Sequence, residues 1–562
     1  MRGTGPTGAP RSTIDRPTGP GWRTRGGTVK TEQTRQADGS PTGVTTASDM
    51  IRRWARETPD APMLTEGTTT LSWDEVYQRA KRVAHALRQS GVGPGDRVAF
   101  LDRNGSEYFE VLFGCALLGA VSVAINWRLA PMEIAAIVED AGAPILFYGP
   151  DYAATVKEVR TLVDGVRHWV ALEQFAEWRD ADGAVERDDP GFDPGPDDAV
   201  IQLYTSGTTG LPKGAVISGR NLAAILTEAD RVFHIGADTV SLVAMPLFHI
   251  GGTGWALAGM SRGGHSVILK DVEPAEALRI IEEHRITETF VVPAVLMFLL
   301  ATPTLATTDV SSLRTVFYGA SPISEDVLVR SMAALGCDFA QVYGLTETTG
   351  AITSLMPGDH DPDGPRAHLL RSAGRPFDHV ELRIVDTDSG RDLPIGEVGE
   401  VWTRSDQNML GYWNKPDETA ATLPGDGWLR TGDAGWLDSE GYLFLHDRIK
   451  DMIVSGGENI YPAEVENALL AHPDVADAAV IGVPDDQWGE TVKAIVVKAP
   501  GAPTDDGALA ADIIAATRDR LAHYKCPTSV VFIDVLPRNP SGKVLKRELR
   551  RPYWDEGGRN IH

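Results

Sequence analysis

Cysteine is scarce: Cys115, Cys337 and Cys526 are the only three in 562 residues, far apart and without CxxC spacing. That excludes a disulfide framework or a thiolate metal site. It fits small buried hydrophobes in a reducing compartment, so a cytoplasmic location is expected. Long apolar runs are also missing. The longest, Val111 to Ile125, is broken by Gly114 and Gly119 and falls short of a membrane span. No apolar region near the start has the form of a signal peptide. Cations are in deficit, with 53 Lys and Arg against 78 Asp and Glu and a net charge of −25. Nucleic acid is therefore not an expected partner. An anionic small molecule would meet an unfavourable overall field, and its site would need a local cation. Large apolar side chains are nearly absent from residues 1–45. Such a segment buries too little surface to offset its ordering entropy, and a disordered tail is predicted there.

What stands out instead is Tyr204-Thr-Ser-Gly-Thr-Thr-Gly-Leu-Pro-Lys-Gly214, directly after the apolar run that starts at Ala199. A strand ending in a loop of hydroxyls and glycines suits a polyphosphate. Backbone amides approach closely at Gly207 and Gly210, and Thr205, Ser206, Thr208 and Thr209 offer hydroxyls. Lys213 adds the local cation. A Walker A loop is ruled out, because Pro212 has no N–H to give and Gly214 stands where a metal-binding hydroxyl belongs.

The surrounding pattern is a layered α/β domain. Ser72 and Glu75 form a capping box, followed by Val76, Ala80, Val83 and Leu87 on one helical face. Strands are predicted at Arg97–Leu101, Val121–Ile125, Pro144–Tyr148, Val240–Met245, Thr289–Val292, Arg314–Tyr318 and Phe339–Val342, alternating with helices. A helix is predicted from Pro322, with that proline in its first turn. Short alternating strands between 378 and 446 predict a small β subdomain. A compact α+β unit follows, which sets the expected division: tail 1–45, main domain 46–447 and C-terminal domain 448–562, with a hinge at 447–451.

A second loop, Tyr343-Gly-Leu-Thr-Glu-Thr348, also follows a strand and can present an aromatic face and a hard oxygen ligand. The two loops in this order resemble the adenylate-forming superfamily, and within it the fatty-acyl-CoA synthetases (AMP-forming acid–CoA ligases). The likeness spans about residues 47–553. It implies a large N-terminal domain of layered α/β subdomains plus a small β subdomain, and a small mobile α+β C-terminal domain. Its substrates would be ATP, a hydrophobic carboxylic acid and coenzyme A, with Mg2+.

The roles below come from the resemblance alone. Thr205–Gly210 and Lys213 would cradle phosphates, Glu347 would hold Mg2+, and Thr346 would contact the α-phosphate. Gly319, Ala320 and Ser321 would lie beside adenine, with Tyr343 and Gly344 completing that wall. Asp433 and Arg448 would take the ribose, and Lys450 would be the hinge. Ser455, Gly456, Gly457 and Glu458 would line a thiol tunnel. Lys543, in Pro537-Arg-Asn-Pro-Ser-Gly-Lys543, would be the catalytic lysine. His249, Gly252 and Trp255 would form the acyl pocket, with His249 in place of an amino-acid-binding Asp favouring an uncharged chain. One departure is Gly219, where many relatives carry His. A carrier-loading adenylation enzyme, a non-catalytic nucleotide-binding protein and a P-loop phosphotransferase are the alternatives, the last disfavoured by Pro212 and Gly214. Peripheral membrane contact stays open for a lipid substrate, and a homodimer is compatible with the sequence.

Overall fold

The computed structural model describes residues 23–25, 28–30, 46–181, 183, 187–205, 212–448, 451–455, 458–485, 488–538 and 544–554. Two large sheets dominate. The nine-stranded one runs Arg375–Pro376, Gly350–Leu355, Asp338–Leu345, Thr315–Gly319, Glu288–Val291, Val240–Val243, His265–Ile268, Pro62–Glu66, Thr69–Ser72. Its interior pairings are parallel and both its edges antiparallel. The seven-stranded one runs Gly411–Tyr412, Lys213–Ser218, Ala199–Thr205, Val121–Ala124, Arg97–Leu101, Ile145–Tyr148, His168–Ala171. Strands buried on both faces run mostly apolar, as Arg97–Leu101 does after its first residue.

The longest apolar run folds back on itself within this frame. Helix Ser106–Leu118 ends on Gly119 in the left-handed conformation, and strand Val121–Ala124 follows. Every residue from Tyr108 to Leu118 is buried, as expected of a helix enclosed on all sides. Tyr108 ties the layers together. Its ring meets Phe100 of the seven-stranded sheet edge-on at 5.5 Å, and its hydroxyl shares a 2.8 Å hydrogen bond with Thr253 of helix Ile250–Ser261. Gly114 is needed here, because a Cβ would lie 2.5 Å from Val83 of the neighbouring helix. That helix, Trp73–Gln89, carries the predicted capping box of Ser72 and Glu75.

The small β subdomain is a six-stranded sheet in which Glu381–Val385, Gly399–Arg404, Trp428–Leu437 and Leu443–Arg448 pair antiparallel. It corrects part of the disordered tail. Arg23–Arg25 and Thr28–Lys30 form a hairpin that pairs through Val29 with Leu382. An open sheet edge offers backbone donors and acceptors to any segment, so pairing there does not need the apolar side chains the tail lacks. The rest of 1–45 lies outside the described residues. A second correction concerns the helix expected from Pro322, which runs Glu325–Leu335 with Ser324 as N-cap accepting from Val327 N. The serine hydroxyl supplies the cap, so the proline falls two residues before it.

Beyond the β subdomain stands a five-stranded sheet whose long hairpin, Val475–Asp485 with Gly489–Lys498, packs against helices Pro462–Leu470 and Asp506–Arg518. Its core is separate from that of the large sheets.

Candidate functional site

Strands Ala199–Thr205 and Asp338–Leu345, which precede two of the predicted loops, each run parallel to a neighbour, and open α/β sheets place their ligands at the carboxyl ends of such strands. Thr205 ends one strand of the seven-stranded sheet, and Lys213 opens the antiparallel return strand opposite it. The Lys213 ammonium lies 5.2 Å from the centre of the Tyr412 ring. On the other sheet, strand Asp338–Leu345 leads into Thr346 and Glu347. The two sheets meet at Glu347. Its Oε1 accepts 2.7 Å from the Tyr412 hydroxyl and 3.4 Å from the Thr205 hydroxyl, and its backbone carbonyl accepts 2.9 Å from Met409 N. Charge-assisted hydroxyl bonds of the shorter kind hold a carboxylate in one orientation.

Close backbone packing shapes the neighbouring wall. At Gly319 a Cβ would fall 2.1 Å from the carbonyl oxygen of Val342, and at Gly344 it would fall 1.8 Å from that of Gly350. Only glycine lets the strands close this tightly at the loop exits. Ala320 has φ 64° and Thr349 φ 55°, left-handed values that non-glycine residues adopt at a cost of about 1–3 kcal/mol. Both flank the predicted loops, and Ala320 and half-buried Ser321 lie just beyond the strand end.

Tyr343 donates its hydroxyl to Asp433 at 2.8 Å, joining the nine-stranded sheet to the β subdomain. Asp433 is buried and sits in register opposite Arg448 across an antiparallel pair. The structure thus brings together Thr205, Lys213, Glu347, Tyr343 and Asp433, with Arg448 placed by its backbone. Ser455 ends a short strand paired with Glu458 and, in the other direction, with Gly489. Ser206, Gly207, Thr208, Thr209, Gly210, Lys450, Gly456, Gly457 and Lys543 lie outside the described residues. Arg538 and Val544, on either side of Lys543 in the chain, pair with each other.

The predicted acyl-pocket residues part company. His249 precedes helix Ile250–Ser261, with its ring 4.5 Å from Phe248. Its Nε2 is shielded from solvent and has no hydrogen-bond partner among the described residues. Burial, with a smaller push from Arg128, lowers its pKa to about 4, so the imidazole is neutral near pH 7. Trp127 packs edge-on against Phe248 at 6.4 Å, giving the surroundings an aromatic character. Gly252 answers to packing, since a Cβ would meet the Pro246 carbonyl oxygen at 2.2 Å. Trp255 is buried between Phe317 and Phe290 and donates its indole N–H to Leu242 O at 3.1 Å.

Sequence reasoning missed Tyr412, the nearest donor to Glu347. The run Gly411-Tyr-Trp-Asn414 was a usable signal, two aromatics after a glycine that adopts φ 146°. It also missed Arg97, stacked 3.3 Å from the centre of the Trp413 ring and bonded at 3.1 Å to Gln202. Tyr204 donates to Asp140 at 2.7 Å beside it, and burial together with that carboxylate raises the phenol pKa.

Two α/β sheets joined through a carboxylate, with the antiparallel β subdomain alongside, frame a candidate site between layers. Residues 51–413 match the family of AMP-binding enzymes, and residues 464–543 match the C-terminal domain of AMP-binding enzymes. The chain belongs to this family of AMP-forming acid ligases, within the adenylate-forming superfamily. It is 42% identical to the fatty acid–[acyl-carrier-protein] ligase ScoC of Streptomyces coeruleorubidus, covering 90% of this chain and 96% of that one. It is 39% identical to a feruloyl-CoA synthase of Amycolatopsis sp., covering 90% and 98%. Among solved structures it resembles the anthranilate CoA ligase AuaEII in complex with anthranoyl-AMP, with a TM-score of 0.83, 27% identity and coverage of 92% and 99%. Among the described residues no helix is long and apolar enough to cross a membrane.

Proposed function

We propose that this chain is an AMP-forming acyl-CoA synthetase for a hydrophobic carboxylic acid of the fatty type. The observation that carries the reading is the meeting of Thr205, Glu347 and Tyr412, with Tyr343 and Asp433 alongside, at the ends of strands from two sheets. In the first step the acid's carboxylate oxygen attacks the α-phosphorus of ATP. The bond to the β-phosphate oxygen breaks, giving acyl-adenylate and pyrophosphate. Thr205, Lys213 and Lys543 offset the charge that builds on phosphorus, and Asp433 and Arg448 hold the ribose. In the second step the thiolate of coenzyme A attacks the adenylate carbonyl, and AMP leaves with the electron pair of the C–O bond. The C-terminal domain turns about Lys450 between the steps and exchanges Lys543 for the 455–458 segment. The reaction belongs in the cytoplasm.

Mg2+ fits the residues present. Among the described residues no cluster of three metal-ligating side chains occurs. This ion is commonly held by one or two carboxylates and substrate phosphates. Glu347, oriented by two hydroxyls, would be that carboxylate, and the ion would supply charge neutralisation. Neutral His249 and aromatic Phe248 and Trp127 favour an uncharged acyl chain over an amino acid. The similarity to ScoC favours a second reading, transfer to the thiol of an acyl carrier protein.

The test is a panel of carboxylic acids scored for AMP release, with free coenzyme A or a phosphopantetheinylated carrier protein as acceptor. Alkyl acids with free coenzyme A are expected to give the highest turnover, and release only with carrier protein would favour the second reading. In the same assay Lys543→Ala should lose adenylate formation by a factor of about a hundred or more. It should still form thioester from preformed acyl-adenylate, and equal loss of both steps overturns the role of Lys543.

A further inference from the structure

Behind Glu347 lies a chain of polar side chains, buried at Glu228 and Gln407 and half-buried at His379, that the reaction does not use. Glu228 is buried, and its carboxylate meets His379 Nδ1 at 3.0 Å and Arg231 at 3.1 Å. Arg231 in turn reaches Asp378. On the other side of the ring, His379 Nε2 lies 2.6 Å from Gln407 Oε1. Gln407 is fully buried, and its amide nitrogen donates to the carbonyls of Thr348 at 3.1 Å and Ala351 at 2.8 Å. Its own backbone carbonyl accepts from the Thr349 hydroxyl at 2.6 Å.

Donor and acceptor counting orients the chain. With both amide hydrogens of Gln407 directed at backbone carbonyls, its oxygen must accept, so His379 Nε2 donates. The other ring nitrogen faces the Glu228 carboxylate, so the ring is held between a buried carboxylate and an amide oxygen. The far end of the chain grips Thr348, Thr349 and Ala351, the residues just after Glu347, where Thr349 stands in the costly left-handed conformation. Turns of this kind persist only where their surroundings hold them.

We infer that Glu228, His379 and Gln407 form a relay that positions the 345–351 turn, and with it the Glu347 carboxylate. The inference rests on the functional reading above for its kinetic consequence, though not for its structural one. His379 and Gln407 are positioning residues and touch no substrate.

The test uses the full-length protein with His379→Phe, His379→Arg and Gln407→Glu. Amide hydrogen exchange of 345–351 is followed in the ligand-free proteins, with helix Ser106–Leu118 as the internal control for the fold. Losing a charge-assisted bond should speed exchange in the turn of His379→Phe by about tenfold and leave the control helix unchanged. The KM for ATP should rise by about tenfold while that for the acid stays within about twofold. Arginine supplies several donors to the same two acceptors, so His379→Arg should recover most of both effects. Gln407→Glu keeps the size but loses both amide donors, and it should reproduce the signature if His379→Phe does not fold. Unchanged exchange at 345–351 in His379→Phe or Gln407→Glu overturns the relay, as does equal loosening of the control helix or no recovery with arginine. If the wild-type protein formed adenylate from no acid, the functional reading would fall, and the exchange measurement would still decide the relay.

Discussion

Gly344→Ala adds one methyl group at the tightest backbone crossing beside the site. The new Cβ would lie 1.8 Å from the Gly350 carbonyl oxygen and 2.8 Å from Ala351 Cα, both backbone atoms that cannot rotate away. Real Cβ contacts essentially never fall under 3.0 Å, so the strands must part by at least 3.0 − 1.8 = 1.2 Å. The ladder is already irregular here, with a register shift between Tyr343 and Gly344. Parting it sacrifices about one or two backbone hydrogen bonds at about 1 kcal/mol each, and overpacking adds about 1–3 kcal/mol. A cost of about 2–5 kcal/mol in a domain of about 400 residues lowers Tm by about 2–6 °C. The functional loss should be larger, because Tyr343 and Glu347 flank the crossing and a displacement of about 1 Å in a reacting geometry can cost about a hundredfold in rate. Thermal denaturation and acid-dependent pyrophosphate exchange read the two effects. Gly165→Ala is the control, since nothing lies within 4 Å of its added Cβ and its backbone is not left-handed. A Gly344→Ala enzyme matching that control in both Tm and exchange would refute the reasoning.

Tyr343→Phe removes only the hydroxyl that Asp433 accepts at 2.8 Å. The KM for ATP should rise by about three- to tenfold with the acid KM unchanged, and an equal rise in both would remove Asp433 from the nucleotide side. Stability should also depend on pH through His249 and His265, both lowered by burial to about 4. Above the ordinary histidine value of about 6.5 both states are neutral and nothing changes. As pH falls from about 6.5 to 4 the unfolded chain takes up protons that the folded one refuses, so stability drops, by on the order of 2–3 kcal/mol for His249 alone. Denaturant melts at pH 7 and pH 4.5 should show a smaller difference for His249→Phe than for wild type, and an equal difference would mean that His249 is protonated in the folded protein.

Much of this protein could be read from short stretches, because the relevant physics is local. Ser72 and Glu75 bond within one turn, Gly119 ends a helix by its own conformation, and Thr205–Gly210 carries four hydroxyls within six residues. Boundaries suffered where two local signals competed, as when Ser324 rather than Pro322 set the helix start. The hairpin at 23–30 was invisible because it depends on a sheet edge formed by residues more than three hundred positions away.

Tertiary structure alone decided what surrounds Glu347. The glutamate and its loop follow from the chain at 343–348, but its donors come from Thr205 and Tyr412, 142 and 65 residues distant. The relay behind it joins Glu228 to His379 across 151 residues and Gln407 to Thr348 across 59. Backbone propensity and periodicity act over a few residues. A buried hydrogen bond is set by whichever polar atoms the packed sheets bring within about 3 Å, and no stretch of sequence records that distance.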